Sequence, residues 1–465
     1  MDHGVRQVSA SADAPLRRAG TLLTEVLRGG ETVNVFVHSV SSLPHSKMLA
    51  PRLPGMELYA ERALLLARPQ DVVCVLRPPE QAYLDYLHGL GLGPDPANVV
   101  AVRPAGARGA GDLLSELLTQ GRLLEAVARC AAQGKPVRVN PFVASAKEHA
   151  LARALARALG QPVGVLGSPA RTTLRLYHKH IVRKAALELG IPVAPGEVVR
   201  LRRSRDGTLN LAALRSAAAR QMAKAGGAII RGSCGTSGSA TAIVRPDALD
   251  SALESLVGQW DETVYLVDPL LDGIASPNVQ VHVAPESRRA QCVSAADQQL
   301  DAALVHQGNA WPSRAETLPQ MLESARHLGD WLGAQGYAGL AGMDFLEHHD
   351  PATGRLQHVF CEVNPRVNGA TYPKALTELL GRGRPIGAFL SLNVATGARC
   401  FSELADRCGD AFFDVSTGRG LFPYNTGCLE HGKFAAAFLA DSREQAEDLC
   451  RNFTDRLAAQ EQSRP

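Results

Sequence analysis

CEVNPRVNGATYP (residues 361–373) joins the end of a strand to a loop that is rich in structure-breaking residues. Residues 359–363 carry a β pattern, and asparagine, proline and glycine recur after them. Because side chains alternate along a strand, Glu362 and Asn364 project from the same face. A carboxylate and an amide oxygen side by side are typical ligands of magnesium. The stretch therefore predicts part of a magnesium site.

The preceding segment, GLAGMDFLEHHD (residues 339–350), has the pattern of a second strand, and a proline and a glycine lie between the two strands. These are the signals of a short hairpin loop. A loop centred midway between the strands places Asp344 opposite Glu362, within about two residues of register. Asp344, Glu362 and Asn364 then share one face, and Arg366 lies just beyond them.

Two acids, an amide and an arginine on one face match the needs of magnesium-bound nucleotide phosphates. The oxygens supply metal ligands, and a guanidinium can grip two phosphate oxygens at once. An ordinary charged surface hairpin is the alternative, but the complete set of four residues argues against it.

The motif MDF (residues 343–345), followed by EVNPRVNG (residues 362–369), resembles the metal-binding end of the ATP-grasp superfamily. Enzymes of this superfamily typically join a carboxylate to an amine through an acyl phosphate made from ATP. The resemblance implies that ATP and Mg²⁺ are the cofactors. It also implies that Asp344, Glu362 and Asn364 hold the metal and that Arg366 holds phosphate.

Length and composition fit an ordinary globular protein. A chain of 465 residues is long enough for two or three domains. The net charge of +3 and the lack of a long basic block exclude the pattern of a nucleic-acid binder. The sequence has neither an apolar run of roughly 18 residues, as a membrane helix needs, nor a signal-peptide core. We therefore expect a cytoplasmic protein without membrane or nucleic-acid partners.

The nine cysteines include no CxxC pair, so neither a disulfide framework nor a zinc site is predicted. Cys234 and Cys361 lie close to the motifs of interest. No activating base can be assigned to either thiol, and we therefore interpret both as packing residues.

Short apolar strands alternate with helical segments in the first region of the chain. The strands are predicted at residues 32–39, 71–76, 98–102 and 136–140. This alternation predicts a parallel sheet that is covered on both faces. The region resembles the pre-ATP-grasp domain that precedes the catalytic part in many relatives. His38, Ser39 and Ser41 follow the first strand, where they either contact substrate or form a solvated loop.

Residues 168–190 predict one capped helix that ends at Gly190. Its apolar stripe is predicted to contain Tyr177, Ile181, Ala185 and Leu189. The resemblance implies that a lysine of this helix reaches the nucleotide phosphates. Lys179 is our candidate, and Lys184 remains open.

Two β runs surround the glycine-rich segment GSCGTSG (residues 232–238). Such a turn lets backbone amides approach phosphate oxygens, although plain hairpins also use glycine. The resemblance implies a mobile ATP lid whose nucleotide contacts are Gly232, Ser233, Gly235, Thr236, Ser237 and Gly238. Arg231 occupies the position at which the entering strand usually carries a lysine. Arginine keeps the charge, but its planar head cannot act as a point charge in the same space.

Residues 262–283 resemble the adenine-side strand and hinge, and Asp268 stands where an acid for the ribose is common. Side chains around the following strands are candidate substrate contacts: Gln280, His282, Gln298, Asn368 and Tyr372, with His306 and Trp311 nearby. A single histidine in a strand is more often structural.

The fold class that we predict is α/β and α+β. A pre-ATP-grasp, Rossmann-like domain (1–166) precedes an ATP-grasp fold (167–405) with a lid subdomain at about 195–270, and a small C-terminal α+β module (406–465) follows. A helix is predicted at 318–335, and residues 374–385 and 388–397 are also predicted to be helical.

EVNPRVNGATYP, SPNVQV, DQQL, HQGNAWP and the last module together resemble the peptide ligases of pheganomycin type, which act in natural-product biosynthesis. The resemblance implies that an amino acid is joined to the amine of an amino acid or peptide. A substrate carboxylate would attack the γ-phosphate of ATP, and the amine would attack the acyl phosphate. Arg366 and Arg231 are the predicted catalytic residues because the oxyanion would form beside them.

Three alternatives remain open at this point. The chain could carry out another ATP-grasp chemistry, such as phosphorylation of an alcohol or carboxylation of a biotin-type acceptor. It could bind nucleotide without turnover, or serve as an interaction protein without a nucleotide site. We expect small-molecule substrates as partners, and a homodimer is left open.

Overall fold

A computed structural model describes residues 21–104, 112–118, 121–132, 134–205, 207–235, 238–260, 262–302 and 304–462. Within these residues the strands form three sheets, of five, four and nine strands. No helix in these ranges is both long enough and apolar enough to cross a membrane.

The N-terminal sheet is parallel, and its five strands are β1 (Val33–Val37), β2 (Val72–Val75), β3 (Val99–Ala101), β4 (Val137–Pro141) and β5 (Val163–Val165). They lie in the order β3-β2-β1-β4-β5. The helices around them are α1 (Leu23–Arg28), α2 (Ser46–Leu49), α3 (Gln81–Gly89), α4 (Leu113–Leu117), α5 (Arg122–Cys130) and α6 (Ala146–Leu159). Strands β1 and β2 are buried along their whole length, as expected of a parallel sheet with both faces covered.

A four-stranded antiparallel sheet follows, and all of its strands lie within the predicted lid range. The strands are β6 (Glu197–Arg200), β7 (Ala228–Gly232), β8 (Thr241–Val244) and β9 (Val264–Pro269), in the order β6-β9-β7-β8. The preceding helices α7 (Ala170–Leu176) and α8 (Lys179–Glu188) lead into this sheet, and α9 (Ala212–Ala225) and α10 (Leu249–Gln259) cover it.

The nine-stranded sheet contains β10 (Gly273–Ala275), β11 (Pro277–Val283), β12 (Ala290–Leu300), β13 (His306–Trp311), β14 (Gly339–His349), β15 (Leu356–Asn364), β16 (Ala388–Ala395), β17 (Gly420–Tyr424) and β18 (Lys433–Ala440). The order is β10-β14-β11-β12-β13-β16-β18-β17, and β15 pairs with β14. The helices of this part are α11 (Leu318–Ala334), α12 (Thr371–Leu380), α13 (Phe401–Cys408) and α14 (Arg443–Gln462). Strands β17 and β18 lie at one end of the nine-stranded sheet, which we call the central sheet. Residues of the predicted C-terminal module therefore form part of the central sheet.

Two secondary-structure predictions were wrong. The predicted single helix is interrupted at His178, whose backbone is extended (φ −73°, ψ 102°), and Leu189 of the predicted apolar stripe is exposed. The segment Ala388–Ala395, predicted to be helical, is strand β16. It lies between β13 and β18, and its first four residues are all buried. Pairing on both sides overrides the local helix signal there.

Candidate functional site

The four-stranded and nine-stranded sheets border one large cleft, together with loop and 3₁₀-helix residues of the N-terminal part of the chain. The cleft has a volume of about 1120 Å³. Predicted site residues that line it are Arg231, Gly238, Asp268, Gln298, Asp344, Glu362, Asn364, Arg366 and Asn368. The cleft therefore brings together the predicted metal ligands, both predicted catalytic arginines and part of the other predicted site residues.

The β14–β15 hairpin has the predicted pairing, with Asp344 opposite Glu362 and Gly342 opposite Asn364. A shift in register follows directly after Asp344. Asn364 Nδ2 donates hydrogen bonds to Asp344 Oδ2 at 2.9 Å and to Glu362 Oε1 at 3.4 Å. The hairpin thus places two carboxylates and one amide in direct contact on the face that borders the cleft.

The two carboxylates have opposite pKa shifts. Desolvation raises the pKa of Asp344 to about 7, and the charge of Glu362 acts in the same direction. Desolvation would also raise the pKa of Glu362, but the charge and hydrogen bond of Lys179 outweigh it, and the pKa of Glu362 is lowered. The pair is therefore short of positive charge on the Asp344 side.

Lys179 ties the helix, the lid loop and the acidic pair together. Its backbone N–H donates to the carbonyl of Ser233 at 2.8 Å, and its Nζ donates to the carbonyl of Gly235. Its Nζ also lies 2.8 Å from Glu362 Oε2. Lys184, in contrast, is exposed and pairs with Glu188 at 3.6 Å. Of the two candidate lysines, the structure brings only Lys179 to this site.

Arg366 lies at the edge of the acidic pair. Its Nη2 donates to Asn364 Oδ1 at 2.9 Å, and its guanidinium carbon lies 5.3 Å from the ring centre of Phe142. Its Nε is buried and has no hydrogen-bond partner among the residues that the structure describes. The backbone N–H of Val367 donates to the carbonyl of Phe142, which attaches this loop to the N-terminal domain.

Arg231 and Asp268 form one buried ion cluster together with Arg183. Arg231 Nη2 donates to Asp268 Oδ2 at 2.7 Å, and Arg183 Nη1 donates to Asp268 Oδ1 at 2.6 Å. The Asp268 side chain is 1% exposed. Each of its carboxylate oxygens therefore already binds a guanidinium, although both Arg231 and Asp268 border the cleft.

The glycine-rich loop is closely packed where it is described. A Cβ at Gly235 would lie 2.2 Å from the carbonyl oxygen of Ser239, so only glycine fits this backbone. Ser233 Oγ lies 2.6 Å from His180 Nδ1, and the backbone N–H of Cys234 donates to Glu262 Oε1 at 2.6 Å. Thr236 and Ser237 lie outside the described residues, and their predicted contacts stay predictions.

The predicted substrate residues divide into two groups. Gln298 and Asn368 line the cleft, whereas Gln280, His282 and Tyr372 do not. Gln280 accepts a hydrogen bond from Thr371 Oγ1 at 2.6 Å, and Tyr372 OH lies 2.8 Å from His38 Nδ1. Burial lowers the pKa of His38 to about 3, which keeps this ring neutral.

Several residues of the site were missed by the sequence reasoning. Asn278 Nδ2 donates to Asp344 Oδ1 at 2.5 Å, and Asn278 Oδ1 accepts from Asn368 Nδ2 at 2.9 Å. Its position two residues before Gln280, on the same strand face, was a signal that could have identified it. Arg183 gave no such signal, because its side-chain partners are Asp268 on β9, which is distant in sequence, and the carbonyl of Ala194.

The donor set fits a magnesium ion if the Asn364 amide turns its oxygen toward the metal. The described residues contain no group of three or more His, Cys, Asp or Glu side chains that could hold a metal ion, and the candidate ligands here are two carboxylates and one amide. Oxygen donors of this kind suit a hard cation, which also keeps several waters. Asn364 here presents its NH₂ to the carboxylates, and as a metal ligand it would present its oxygen instead.

Comparison with known families and structures identifies the fold. Residues 60–157 match the family model described as a pre ATP-grasp domain. A comparison with curated protein sequences finds no match.

Among solved structures, the chain is similar to the ADP complex of purK, an N5-carboxyaminoimidazole ribonucleotide synthetase. The TM-score is 0.53 at 13% identity, over 93% of this chain and 98% of the other. The biotin carboxylase–β,γ-ATP complex from Campylobacter jejuni has a TM-score of 0.51 at 12% identity, over 92% and 91%.

A third similar structure is the biotin carboxylase domain dimer of Hydrogenobacter thermophilus 2-oxoglutarate carboxylase, in complex with MgADP, ADP and bicarbonate. Its TM-score is 0.50 at 15% identity, over 91% of this chain and 89% of the other. Residues 60–157 therefore match the pre ATP-grasp domain model, and the chain as a whole shares the fold of these solved structures.

Proposed function

We propose that this protein is an ATP-dependent carboxylate–amine ligase that forms an amide bond through an acyl phosphate. ATP is the co-substrate and Mg²⁺ is the metal cofactor. The acid is an amino acid, and the amine belongs to an amino acid or peptide in a natural-product pathway. Support for the finer assignment comes from the sequence resemblance to pheganomycin-type peptide ligases.

The observation that carries the proposal is the paired set Asp344, Glu362 and Asn364, with Arg366 in contact with Asn364. Asp344, Glu362 and Asn364 would hold magnesium, which supplies positive charge where phosphate oxygens gather. A binding protein without turnover would have no chemical need for this complete arrangement.

The residues of the chain have distinct roles in this reaction. Arg366 orients the substrate carboxylate and stabilises the oxyanion that forms when the amine attacks, because its guanidinium lies at the edge of the acidic pair. Lys179 binds nucleotide phosphate from the lid side, since its ammonium already contacts the loop carbonyl of Gly235.

Arg231 takes part less directly. In this structure its guanidinium is paired with Asp268, so we assign it to positioning Asp268 and the β9 strand in the nucleotide half of the cleft. A direct contact with phosphate would require this ion pair to open.

Hydroxylamine trapping tests the proposal. The protein is incubated with ATP, magnesium and hydroxylamine across a panel of amino acids and short peptides, and hydroxamates are detected by mass. A hydroxamate from one acid, together with stoichiometric ADP, is the expected result. ATP-dependent stabilisation of the protein without a hydroxamate from any acid would contradict the ligase proposal.

Carboxylation is the second candidate, because the similar structures above are carboxylases and an N5-carboxyaminoimidazole ribonucleotide synthetase. It predicts ADP release that depends on bicarbonate and a product that retains labelled carbon from bicarbonate. The ligase predicts ADP release that is independent of bicarbonate.

A further inference from the structure

Arg62, in the N-terminal wall of the cleft, is enclosed by aromatic rings. It lies on the 3₁₀ helix Met56–Leu66, and its guanidinium carbon is 4.7 Å from the ring centre of Tyr372, 4.8 Å from that of Tyr59 and 5.2 Å from that of Phe142. Its Nε donates to the carbonyl of Tyr59 at 3.0 Å. Cation–π contacts and this hydrogen bond hold the charged head in one place.

The Arg62 head still has an unused donor. Its Nη2 is buried and makes no hydrogen bond with any residue that the structure describes. The contacts named above are to rings and one carbonyl, and none of them supplies a negative charge. Arg231 differs from Arg62 in having a carboxylate partner, Asp268, although its own Nε also has no hydrogen-bond partner among the described residues. A buried guanidinium donor without an acceptor is unfavourable, and an anionic ligand would supply both the acceptor and the opposite charge.

Arg62 and Arg366 border the same part of the cleft. Their guanidinium carbons lie 5.2 Å and 5.3 Å from the centre of the Phe142 ring, which limits their separation to at most about 10.5 Å. Burial lowers the pKa of His306, and the charges of both arginines act in the same direction. His306 also lines the cleft, so both positive charges face the space around it.

Different basic groups lie on the side of the cleft that is formed by β7 and β9. Lys179 contacts the loop after β7, and Arg231 contacts β9. Arg62 comes from the N-terminal part of the chain and borders the cleft beside the Phe142 ring. With Lys179 assigned to the nucleotide phosphate under the proposed function, Arg62 is left for an anionic group of a substrate.

We propose that Arg62 binds the free carboxylate of the amine-bearing substrate, so that the acceptor is an α-amino acid or a peptide with a free C-terminus. The proposal rests on the ligase function. Arg366 takes the reacting end of the substrates, and the limited distance to Arg62 fits an acceptor whose carboxylate lies a few atoms from its amine. A planar guanidinium fork binds such a carboxylate through two hydrogen bonds.

The test uses the full-length protein and the variants Arg62→Met, Arg62→Lys and Arg52→Met. Methionine keeps an apolar chain between the rings and removes the charge, and a thermal melt checks that each variant is folded. Arg52 is the matched control because it stacks on Trp260 at 4.9 Å and does not line the cleft. The acceptors are a panel of amino acids and the primary amide of each, with the donor acid found by hydroxylamine trapping.

We expect the wild type to prefer each free acid to its amide. Arg62→Met should lower kcat/KM for free acids by roughly 100-fold, mainly by raising KM. The variant removes a bidentate, charge-assisted pair of hydrogen bonds to the substrate carboxylate. Arg62→Lys should be intermediate, and Arg52→Met should match the wild type. The reaction with hydroxylamine, which has no carboxylate, should be unchanged in all variants.

The two proposals can fail separately. Hydroxamate formation with equal use of acids and amides would overturn the role of Arg62 and leave the ligase in place. If no acid gives a hydroxamate, the ligase proposal fails. Carboxylate binding by Arg62 is then tested separately, through thermal stabilisation of the protein by the same amino acids and amides. Stabilisation by free acids alone, lost in Arg62→Met, supports the carboxylate site. The carboxylate site is overturned if the stabilisation does not depend on both the free carboxylate and Arg62.

Discussion

Glu362 has two ionisable neighbours: the charge and hydrogen bond of Lys179 lower the pKa of its carboxyl group, and its own charge raises the pKa of Asp344. Replacing it with Gln keeps the shape of the side chain and removes one negative charge from the proposed metal site. We expect amide formation to fall by about 100-fold or more, because charge stabilisation of the transition state is lost. ADP release with the donor acid and hydroxylamine measures the effect.

Glu188→Gln is the matched control for that variant. Glu188 lies on the same helix as Lys179 and pairs with a lysine, Lys184, but both side chains are exposed. Its replacement should leave turnover and melting temperature unchanged. Near-normal amide formation by Glu362→Gln would contradict the metal assignment.

Asp268 is predicted to matter for stability as well as for the nucleotide. Asp268→Asn leaves Arg183 and Arg231 with no carboxylate in a buried cluster. Removing one partner of a buried ion pair typically costs about 3–5 kcal/mol, and urea unfolding should show a loss of this size. Asp250→Asn, which breaks the exposed pair with Arg215, should cost about 0–1 kcal/mol. Equal losses in the two variants would show that the cluster is not important for stability.

Single residues near the motif could be read from the sequence because a hairpin is a local structure. The alternation of β15 and the short loop determined that Asp344 faces Glu362, and the structure has this pairing. The partners of Asp268 could not be derived in the same way. Arg183 is separated from it by 85 residues and reaches it only because α8 packs against β9.

At the scale of elements, the lid loop between β7 and β8 gives the clearest prediction. A valine at Gly235 would collide with the carbonyl of Ser239, so the loop backbone must move. Because phosphate binding needs close approach to this backbone, we expect the affinity for ATP to fall by about ten-fold or more. Calorimetric titration with ATP and magnesium measures the change.

Gly383→Val is the control for the lid variant, because nothing lies within 4 Å of a Cβ at Gly383. Its affinity for ATP should equal that of the wild type. Unchanged affinity in Gly235→Val as well would show that the loop is a turn without a role in nucleotide binding.

Tertiary contacts explain why two elements differ from the sequence prediction. The interruption at His178 lets the backbone N–H of Lys179 bond to Ser233, a lid residue that the helix pattern does not reveal. The segment Ala388–Ala395 has strong apolar content that suits either a helix or a buried strand. Its pairing with β13 and β18 makes it a strand, and both partner strands are distant from it in the sequence.

At the scale of the whole molecule, the predicted α/β and α+β fold class is confirmed, and the domain limits stay predictions. The parallel N-terminal sheet and the lid sheet lie inside the predicted ranges. The predicted boundary at residue 405 follows a change in sequence character, yet β17 and β18 complete the central sheet. A sequence pattern indicates that strands are present, but it does not indicate which sheet they join.

The cleft lies between separate parts of the molecule. Arg62 of the 3₁₀ helix Met56–Leu66, Arg231 of the four-stranded sheet and Glu362 of the nine-stranded sheet all line it, so we expect a bound nucleotide to stabilise the whole fold. ATP with magnesium at about 100 times its Kd should stabilise the folded protein by about 2.7 kcal/mol. ATP without magnesium should stabilise it less, and this difference should vanish in Asp344→Asn. If the wild type with ATP melts at the same temperature in the presence and in the absence of magnesium, Asp344 and Glu362 are excluded as metal ligands.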